Sequence, residues 1–301
     1  MFPLPDNLQI EDVSPQRIGE VLRLLRSRMP DATIQQLITM LNENPSSNLL
    51  LKAMRDQNAV GAVFSNLSPG KIASVWTPVS NLWEPISTAT RLLQALSDRL
   101  KRRGVCLATI MTETVSTEEE EIFHASGFDP LARLFYMVSL QKDFPAEKPP
   151  CELDFESYSP KNHTRLSAIV ESTYEQTYDC PELNGIRKIE DVLEGYRSIG
   201  TFNPARWLIV QHQNRDVGCL LLADHIEGEN FELVYMGLSV SARGHGWGAQ
   251  IARHAQWLTI QAGRPRLILQ VDAGNIPAMR TYSSAGFRIW EQRSAYHRLF
   301  I

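Results

Sequence analysis

The chain has 301 residues, of which 43% are hydrophobic and 21% charged, and a formal net charge of −4. That length suggests two domains of ~150 residues each, and the composition is that of an ordinary soluble globular protein. The acidic balance argues against a nucleic-acid partner, whose phosphates favour a basic face, and no window approaches the ~18 apolar residues of a membrane helix.

The opening MFPLPDNLQIEDVS has neither the basic nor the apolar region of a signal peptide, so a cytoplasmic protein is expected. Cys106, Cys151, Cys180 and Cys219 are widely separated and form no CxxC pair. Reduced thiols are expected, and no metal site.

In chain order, the first half offers a helix ending at RRG (102–104), a strand in CLATIMTE, and a helical segment ending at SGF (126–128). DFPAEKPPCE (143–152) reads as a linker, because its prolines disfavour helix and lack donors for a strand ladder. The expected domains are 1–145 and 151–301. The second half opens with a strand in CELDFES and a helix over NHTRLSAIVESTYEQ. A loop, DCPELNGIR, and a second helix, KIEDVLEGYRSIG, follow. RWLIVQ, GCLLLAD and FELVYMGLSV read as three strands with polar turns between them. A long helix then ends at Gly263, RLILQVD is a strand, NIPAMRTYSSAG a helix, and the remainder largely strand. The class is mixed α/β.

The halves repeat. RRG matches QAG at 261–263, SGF matches AGF at 285–287, and in both halves the anchor glycines stand 23 residues apart with a strand and a helix between them. A duplicated domain explains this better than chance. The copies differ at chosen places. Counting from the anchors sets Glu84 opposite Arg243, Ser116 opposite Asn275, and Phe123 opposite Tyr282, and the first copy reads EPISTA where the second reads RGHGWG.

Gly244, Gly246 and Gly248 stand where a strand turns into a helix. A helix N-terminus leaves about four N–H groups unpaired and carries roughly half a positive charge. Glycines let a ligand rest against those donors, and a phosphate is the natural occupant. A P-loop is excluded, since GWGAQ stands where GK[ST] is needed. A dinucleotide fingerprint fits Gly244, Gly246 and Ala249, with Asp272 ending the next strand, but only about 50 residues follow, too few for that fold.

RGHGWG matches the [QR]xxGx[GA] signature of the GNAT superfamily of acyl-CoA N-acyltransferases, and Asn275, Ala278, Tyr282, Gly286 and Phe287 match its downstream N–A–Y–GF pattern. Residues 150–301 resemble that superfamily in element order as well. For the first half the resemblance rests on the internal repeat alone. A tandem pair with a degenerate first copy is similar to the arrangement of mycothiol synthase.

The resemblance implies that main-chain N–H groups of Gly244, His245, Gly246, Trp247, Gly248 and Ala249 hold the pyrophosphate of acetyl-CoA, the co-substrate, with Arg243 nearby. Pantetheine would lie between splayed strands, bonded to main chain near Leu238 and Val240, with Asn275 beside it. Tyr282 is the candidate acid for the departing thiolate; a core-packing role is its alternative. Glu232 is the candidate base, on the assumption that alternation places it with Val234, Met236 and Leu238 on one face; a solvent-facing carboxylate is its alternative. Asp224 and His225 are weaker candidates. Tyr174, Tyr178, Asp179, Glu182 and Arg187 are candidate acceptor contacts. The expected activity is acetyl transfer to an amine of a small molecule or peptide through a ternary complex. The alternative is a non-catalytic acyl-CoA sensor or partner-binding module.

Overall fold

The computed structural model describes residues 7–27 and 29–300. It divides into two compact units, Met1–Leu131 with Ser294–Ile301, and Ala132–Arg293. Both are mixed α/β.

The first unit begins with strand β1 (Gln9–Asp12), helices α1 (Gly19–Arg26) and α2 (Asp31–Glu43), and strands β2 (Asn48–Arg55), β3 (Asn58–Ser68), β4 (Ile72–Val75) and β5 (Val79–Ser80). Helix α3 (Ile86–Arg102), strand β6 (Leu107–Thr112), helix α4 (Thr117–Ala125) and strand β7 (Asp129–Leu140) follow. The second unit continues with β8 (Asp154–Ser157), α5 (His163–Thr173), α6 (Ile189–Arg197), β9 (Trp207–His212), β10 (Arg215–His225) and β11 (Asn230–Leu238). The chain closes with α7 (Trp247–Gln261), β12 (Arg266–Asp272), α8 (Ile276–Ser284) and β13 (Arg288–Leu299).

The repeat holds element for element. The series β1, α1, α2, β2, β3, β4, α3, β6, α4, β7 recurs as β8, α5, α6, β9, β10, β11, α7, β12, α8, β13; only β5 lacks a counterpart. The anchor glycines recur as left-handed helix ends, with φ +75° at Gly104 and +70° at Gly263, +74° at Gly127 and +89° at Gly286. Ser116 and Asn275 each cap the helix that follows, by accepting from the N–H of Glu119 and of Ala278. In each unit the sheet is antiparallel except at one step, β4 beside β6 and β11 beside β12.

The dividing line differs from the expected linker. Leu134–Leu140 of β7 pair with β12 and belong to the second unit, and Ser294–Leu299 of β13 pair with β6 and belong to the first. Each half of the sequence therefore gives its closing strand to the other half's sheet. Phe144, inside the expected linker, is buried in the core of the second unit.

In that unit the central strands are covered on both faces, which is why they read as unbroken apolar runs. Leu208, Val210, Leu220 and Leu222 meet Ile251 and Ala255 of α7. Trp207, Ile209, Cys219 and Leu221 meet Leu166 and Val170 of α5 and Leu193 of α6. Burying one such aliphatic side chain fully stabilises the fold by about 1.5–3 kcal/mol, so the helices that frame the site are fixed by their apolar faces. Among the described residues no helix is long and apolar enough to cross a membrane.

Candidate active site

The site begins as a split in the sheet. β11 and β12 are parallel neighbours from Asn230 opposite Arg266 to Leu233 opposite Leu269, and there the ladder stops. Beyond it β11 continues along β10 and β12 along β7. The register of β10 with β11 shifts between Leu221 and Leu222, leaving Val234 as the extra residue of a β-bulge. The bulge bends β11 away from its parallel neighbour and re-aims its side chains. Phe231 and Leu233 face the α7 side, Val234 and Tyr235 both face the α5 and α6 side, and Met236 and Leu238 return to the first. A cavity of ≈ 640 Å³ opens in the split, lined by Leu233–Leu238, by the glycine loop and by the start of α8.

The glycine loop forms one wall. Gly244 and Gly246 have φ of +86° and +77°, and a Cβ on either would meet nothing within 4 Å. These two are glycines for conformation and for access, not for packing. Gly248 differs, since a Cβ there would lie 3.2 Å from Thr281 Cγ2, so its bareness lets α7 approach α8. The N–H groups of residues 244–248 have no hydrogen-bond partner among the described residues. They crown the N-terminus of α7, where the helix dipole adds positive potential. Leu238, Gly244, Gly246, Trp247, Gly248, Ala249 and Asn275 all line the cavity. Val240 and His245 do not: Val240 opens a short 3-10 turn, and the His245 ring stacks on Trp247 at 4.7 Å.

Arg243 lines the cavity too, but its guanidinium is committed elsewhere. It donates to the main-chain carbonyls of Leu238 at 3.1 Å, Gln176 at 3.0 Å, Thr173 at 2.9 Å and Glu175 at 2.8 Å. Three of those oxygens belong to the end of α5 and the turn beyond it, where a cation also answers the negative pole of the helix. Arg243 thus ties the acceptor-side loop to the glycine loop. The cation left at the cavity is Arg280 of α8, which is exposed, lines the cavity and makes no ion pair among the described residues. The sequence patterns contain no sign of it.

Tyr282 lies on the cavity wall with its ring edge-on to Phe287, 5.6 Å between centroids. Burial, reinforced by the nearby Asp179 carboxylate, pushes its hydroxyl above the ordinary phenol range. The group therefore stays protonated at any physiological pH, and its oxygen has no hydrogen-bond partner among the described residues.

Glu232 does not reach this place. It precedes the bulge, so its side chain points to the opposite face from Met236 and Leu238, and it lies outside the cavity lining. Its carboxylate is paired with His225 at 2.7 Å, and that hydrogen bond raises the imidazole above its usual pKa. Strict alternation over 232–238 fails here because one inserted residue reverses the facing. Asp224 is likewise engaged, in an ion pair with Arg264 at 2.8 Å.

A second cavity, of ≈ 560 Å³, adjoins the first and shares Gln176, Thr177, Asp179 and Tyr235 with it. Of the candidate acceptor contacts, Tyr174, Asp179 and Arg187 line it; Tyr178 lines the first cavity, and Glu182 lines neither. Its aromatic wall is locked. Tyr196 and Tyr235 stack at 5.3 Å, the Tyr174 and Tyr196 hydroxyls are 3.1 Å apart, and Tyr235 Oη is 2.7 Å from Thr173 Oγ1. Burial pushes Tyr174 up to about 12. Thr173 also packs against Gly237, where a Cβ would lie 2.6 Å from it, so α5 can press on β11 only because residue 237 is bare. No cluster of three or more His, Cys, Asp or Glu that could hold a metal occurs among the described residues.

Residues 170–287 match the model of the Acetyltransferase (GNAT) family. No curated protein matches the chain in sequence. A GCN5-related N-acetyltransferase from Sphaerobacter thermophilus shares its fold with a TM-score of 0.64 at 16% identity, over 99% of this chain and 97% of that one. A glucosamine N-acetyltransferase region in a fungal multi-domain GH3 β-N-acetylglucosaminidase gives 0.65 at 14% identity, over 98% of this chain and 38% of that one. A tandem GNAT protein from the clavulanic acid biosynthesis pathway gives 0.53 at 10% identity, over 98% and 99% of the two chains. Identities this low speak to fold, and the fold they share spans both halves of the chain. The chain therefore has the fold of tandem GNAT proteins, its residues 170–287 match the GNAT acetyltransferase family model, and the match and the fold together support an acyltransferase role.

Proposed function

We propose that the C-terminal unit transfers an acetyl group from acetyl-CoA to a primary amine of a small molecule or peptide by direct attack in a ternary complex. The observation that carries this reading is the row of unpartnered N–H groups at residues 244–248, beside a split sheet and a phenol without a partner. The N–H groups and the dipole of α7 suit the pyrophosphate, and Arg280 supplies the mobile positive charge. The pantetheine arm fits the split between β11 and β12, where strand edges past Leu233 and Leu269 lack each other as partners. The acyl group then lies near Leu238, whose strand offers main-chain donors to a developing oxyanion.

In this reading the amine enters by the second cavity. Its lone pair attacks the thioester carbon, and the carbon–sulfur bond breaks with its electrons left on sulfur. Tyr282, on the cavity wall, then gives that sulfur a proton. A phenol is a weaker acid than a thiol, so the transfer is useful only with donor and acceptor held in contact. The test is acetyl-CoA turnover, read as free thiol, with peptides bearing a free α-amine and with Nα-blocked lysine. Amine-dependent thiol release is expected. CoA binding without it would leave a sensor, and no CoA binding would overturn the reading of the loop.

A further inference from the structure

Both cavities meet at one ionisable carboxylate, and it is not the one the sequence pattern singled out. Asp179 stands in the loop after α5 and lines both the cleft proposed for the thioester and the cavity proposed for the acceptor. The other residues common to the two are Gln176, Thr177 and Tyr235. The first two have no proton-accepting group that works near neutral pH, and the Tyr235 phenol is pushed well above its ordinary range by burial. We infer that Asp179 is the catalytic base of this site, docking the acceptor as an ammonium ion and taking the proton that frees its lone pair. The inference rests on the transferase reading above and replaces the role first given to Glu232.

The loop holds Asp179 on several sides. Its main-chain N–H donates to Thr177 Oγ1 at 3.0 Å, and its Oδ1 accepts from the N–H of Asp272 at 3.1 Å. Asn275, which caps α8 with its oxygen, lines the first cavity with Asp179. Next in sequence, Cys180 takes a left-handed conformation and donates its N–H to Asp272 Oδ2 at 3.2 Å. The loop is thereby pinned to the end of β12, the strand that leads into α8 and Tyr282. Arg243 pins it from the other side, through the carbonyls of Thr173, Glu175 and Gln176. A carboxylate held by the end of β12, on a loop tied down from both sides, is preorganised in a way that a loop side chain ordinarily is not.

The titratable groups facing Asp179 are Asp272 from β12, Tyr282 from α8, Tyr235 from β11, Tyr174 from α5 and its own neighbour Cys180. Among the described residues Asp179 makes no ion pair, although Arg187 lines the second cavity with it and Arg280 the first. Crowding by protein raises the carboxyl above its ordinary value, with the Asp272 charge adding to the rise and the hydrogen bond from the Asp272 N–H opposing it. A basic carboxylate without an ion-pair partner is suited to receive a cation as substrate.

The protons balance. An ammonium acceptor carries three. The first passes to the Asp179 carboxylate. Attack on the acyl carbon forms the carbon–nitrogen bond, and collapse breaks the carbon–sulfur bond. Tyr282 protonates the sulfur, and the second proton lost from nitrogen restores the phenol through solvent. The third stays on the amide. Asp179 returns its proton to water, so the products are the amide, the free thiol and one proton.

The test is Asp179→Asn in the full chain, with CoA affinity measured by calorimetry beside turnover. The expected result at pH 7 is a kcat/KM lower by ~10²-fold or more with CoA affinity within about threefold. The deficit should shrink as pH rises toward the pKa of the amine. It should also be smaller for a peptide α-amine, pKa about 8, than for Nα-blocked lysine, about 10.4. Asp179→Glu should restore part of the loss. Turnover in the Asn variant equal to wild type, or a deficit independent of both pH and amine basicity, overturns the inference. If Asn and Glu variants both lose CoA affinity, the residue shapes the cleft and the inference is overturned too. Failure of the wild-type protein to release thiol with any amine would instead sink the transferase reading on which it stands.

Discussion

Gly246→Asp separates folding from binding at the one place where the two can be told apart. Gly246 stands at the N-cap of α7 with φ +77° and ψ 1°. A non-glycine residue in that region costs about 1–2 kcal/mol, and Asp is among the residues that tolerate it best. No atom lies within 4 Å of the new Cβ, so no steric term is added. The new carboxylate also lies against the positive end of α7, a gain of about 0.3–1 kcal/mol. The net loss of stability should therefore be about 1 kcal/mol or less. The effect on binding is of another size. At an effective dielectric of ~20, a carboxylate ~5 Å from a phosphate charge opposes it by about 3 kcal/mol, which is over 10²-fold in Kd. Thermal unfolding and calorimetric titration with CoA read the two effects separately. Gly246→Ala is the control, with comparable strain and no charge, and should keep affinity within ~10-fold. If the Asp variant binds CoA like wild type, phosphate does not sit on this helix end. If Ala and Asp lose affinity equally, loop conformation and not charge is what matters.

Three further outcomes are expected. Tyr282→Phe should lower kcat by up to ~10²-fold with CoA affinity near normal, and should not destabilise, because its hydroxyl has no partner to lose; wild-type turnover would reject the acid role. Arg280→Ala should weaken CoA binding by about tenfold and flatten its salt dependence, whereas an unchanged salt slope would remove this residue from the phosphate site. Glu232→Gln should leave kcat intact and alter stability only on the acid side. Since Glu232 raises the pKa of His225, the pair stabilises below the imidazole's unfolded pKa of about 6.5, and that contribution fades as pH climbs through the raised value. His225 is a third exposed, so the loss at pH 5.5 should be at most about 1 kcal/mol and near zero at pH 8.5. Equal losses at both values would refute the coupling.

What the sequence disclosed and what it hid divide along a physical line. The glycine loop, the helix caps and the anchor glycines are local: each is set by the backbone conformation of a few adjacent residues, and residue type reports it. The repeat was legible for the same reason, through helix ends that need left-handed glycine. The bulge at Val234 was not, because an inserted residue in an apolar strand leaves no mark until the partner strand is in register; this is why Glu232 was assigned to the wrong face. The commitment of Arg243 is hidden in the same way, because its acceptors, carbonyls at 173–176, come from ~70 residues earlier in the chain. The exchange of β7 and β13 was equally hidden. Both are strands of 12 residues, and nothing in either sequence says which sheet edge the strand will join. In the sequence Asp179 stands out only as an acceptor contact, since its position between two cavities depends on a loop pinned from β12 and by Arg243.

In the first copy the place of the proposed phosphate site is built differently, and Glu84 is the residue on which that difference can be tested. In the repeat, Glu84 replaces Arg243, and Pro85, Ser87 and Ala89 replace the three glycines. α3 begins at Ile86, two positions earlier in the shared frame than α7, so helix occupies the place where the loop opens in the second copy. The Glu84 carboxylate then supplies the anion from within. It accepts from Arg55 Nη2 at 3.1 Å and from Thr88 Oγ1, in the first turn of α3, at 2.7 Å. Both members of the ion pair are nearly buried, with side chains 10% and 7% exposed. Glu84→Ala would leave a buried guanidinium without its carboxylate, a loss of about 3–5 kcal/mol by thermal or denaturant unfolding. It should still create no second CoA site, because removing an anion restores neither the left-handed glycines nor the open N–H groups. Calorimetry should give one CoA per chain before and after the substitution. Two sites in the variant would mean that the carboxylate alone had kept phosphate out, and two in the wild type would mean that bare amides are not what this fold uses to hold it.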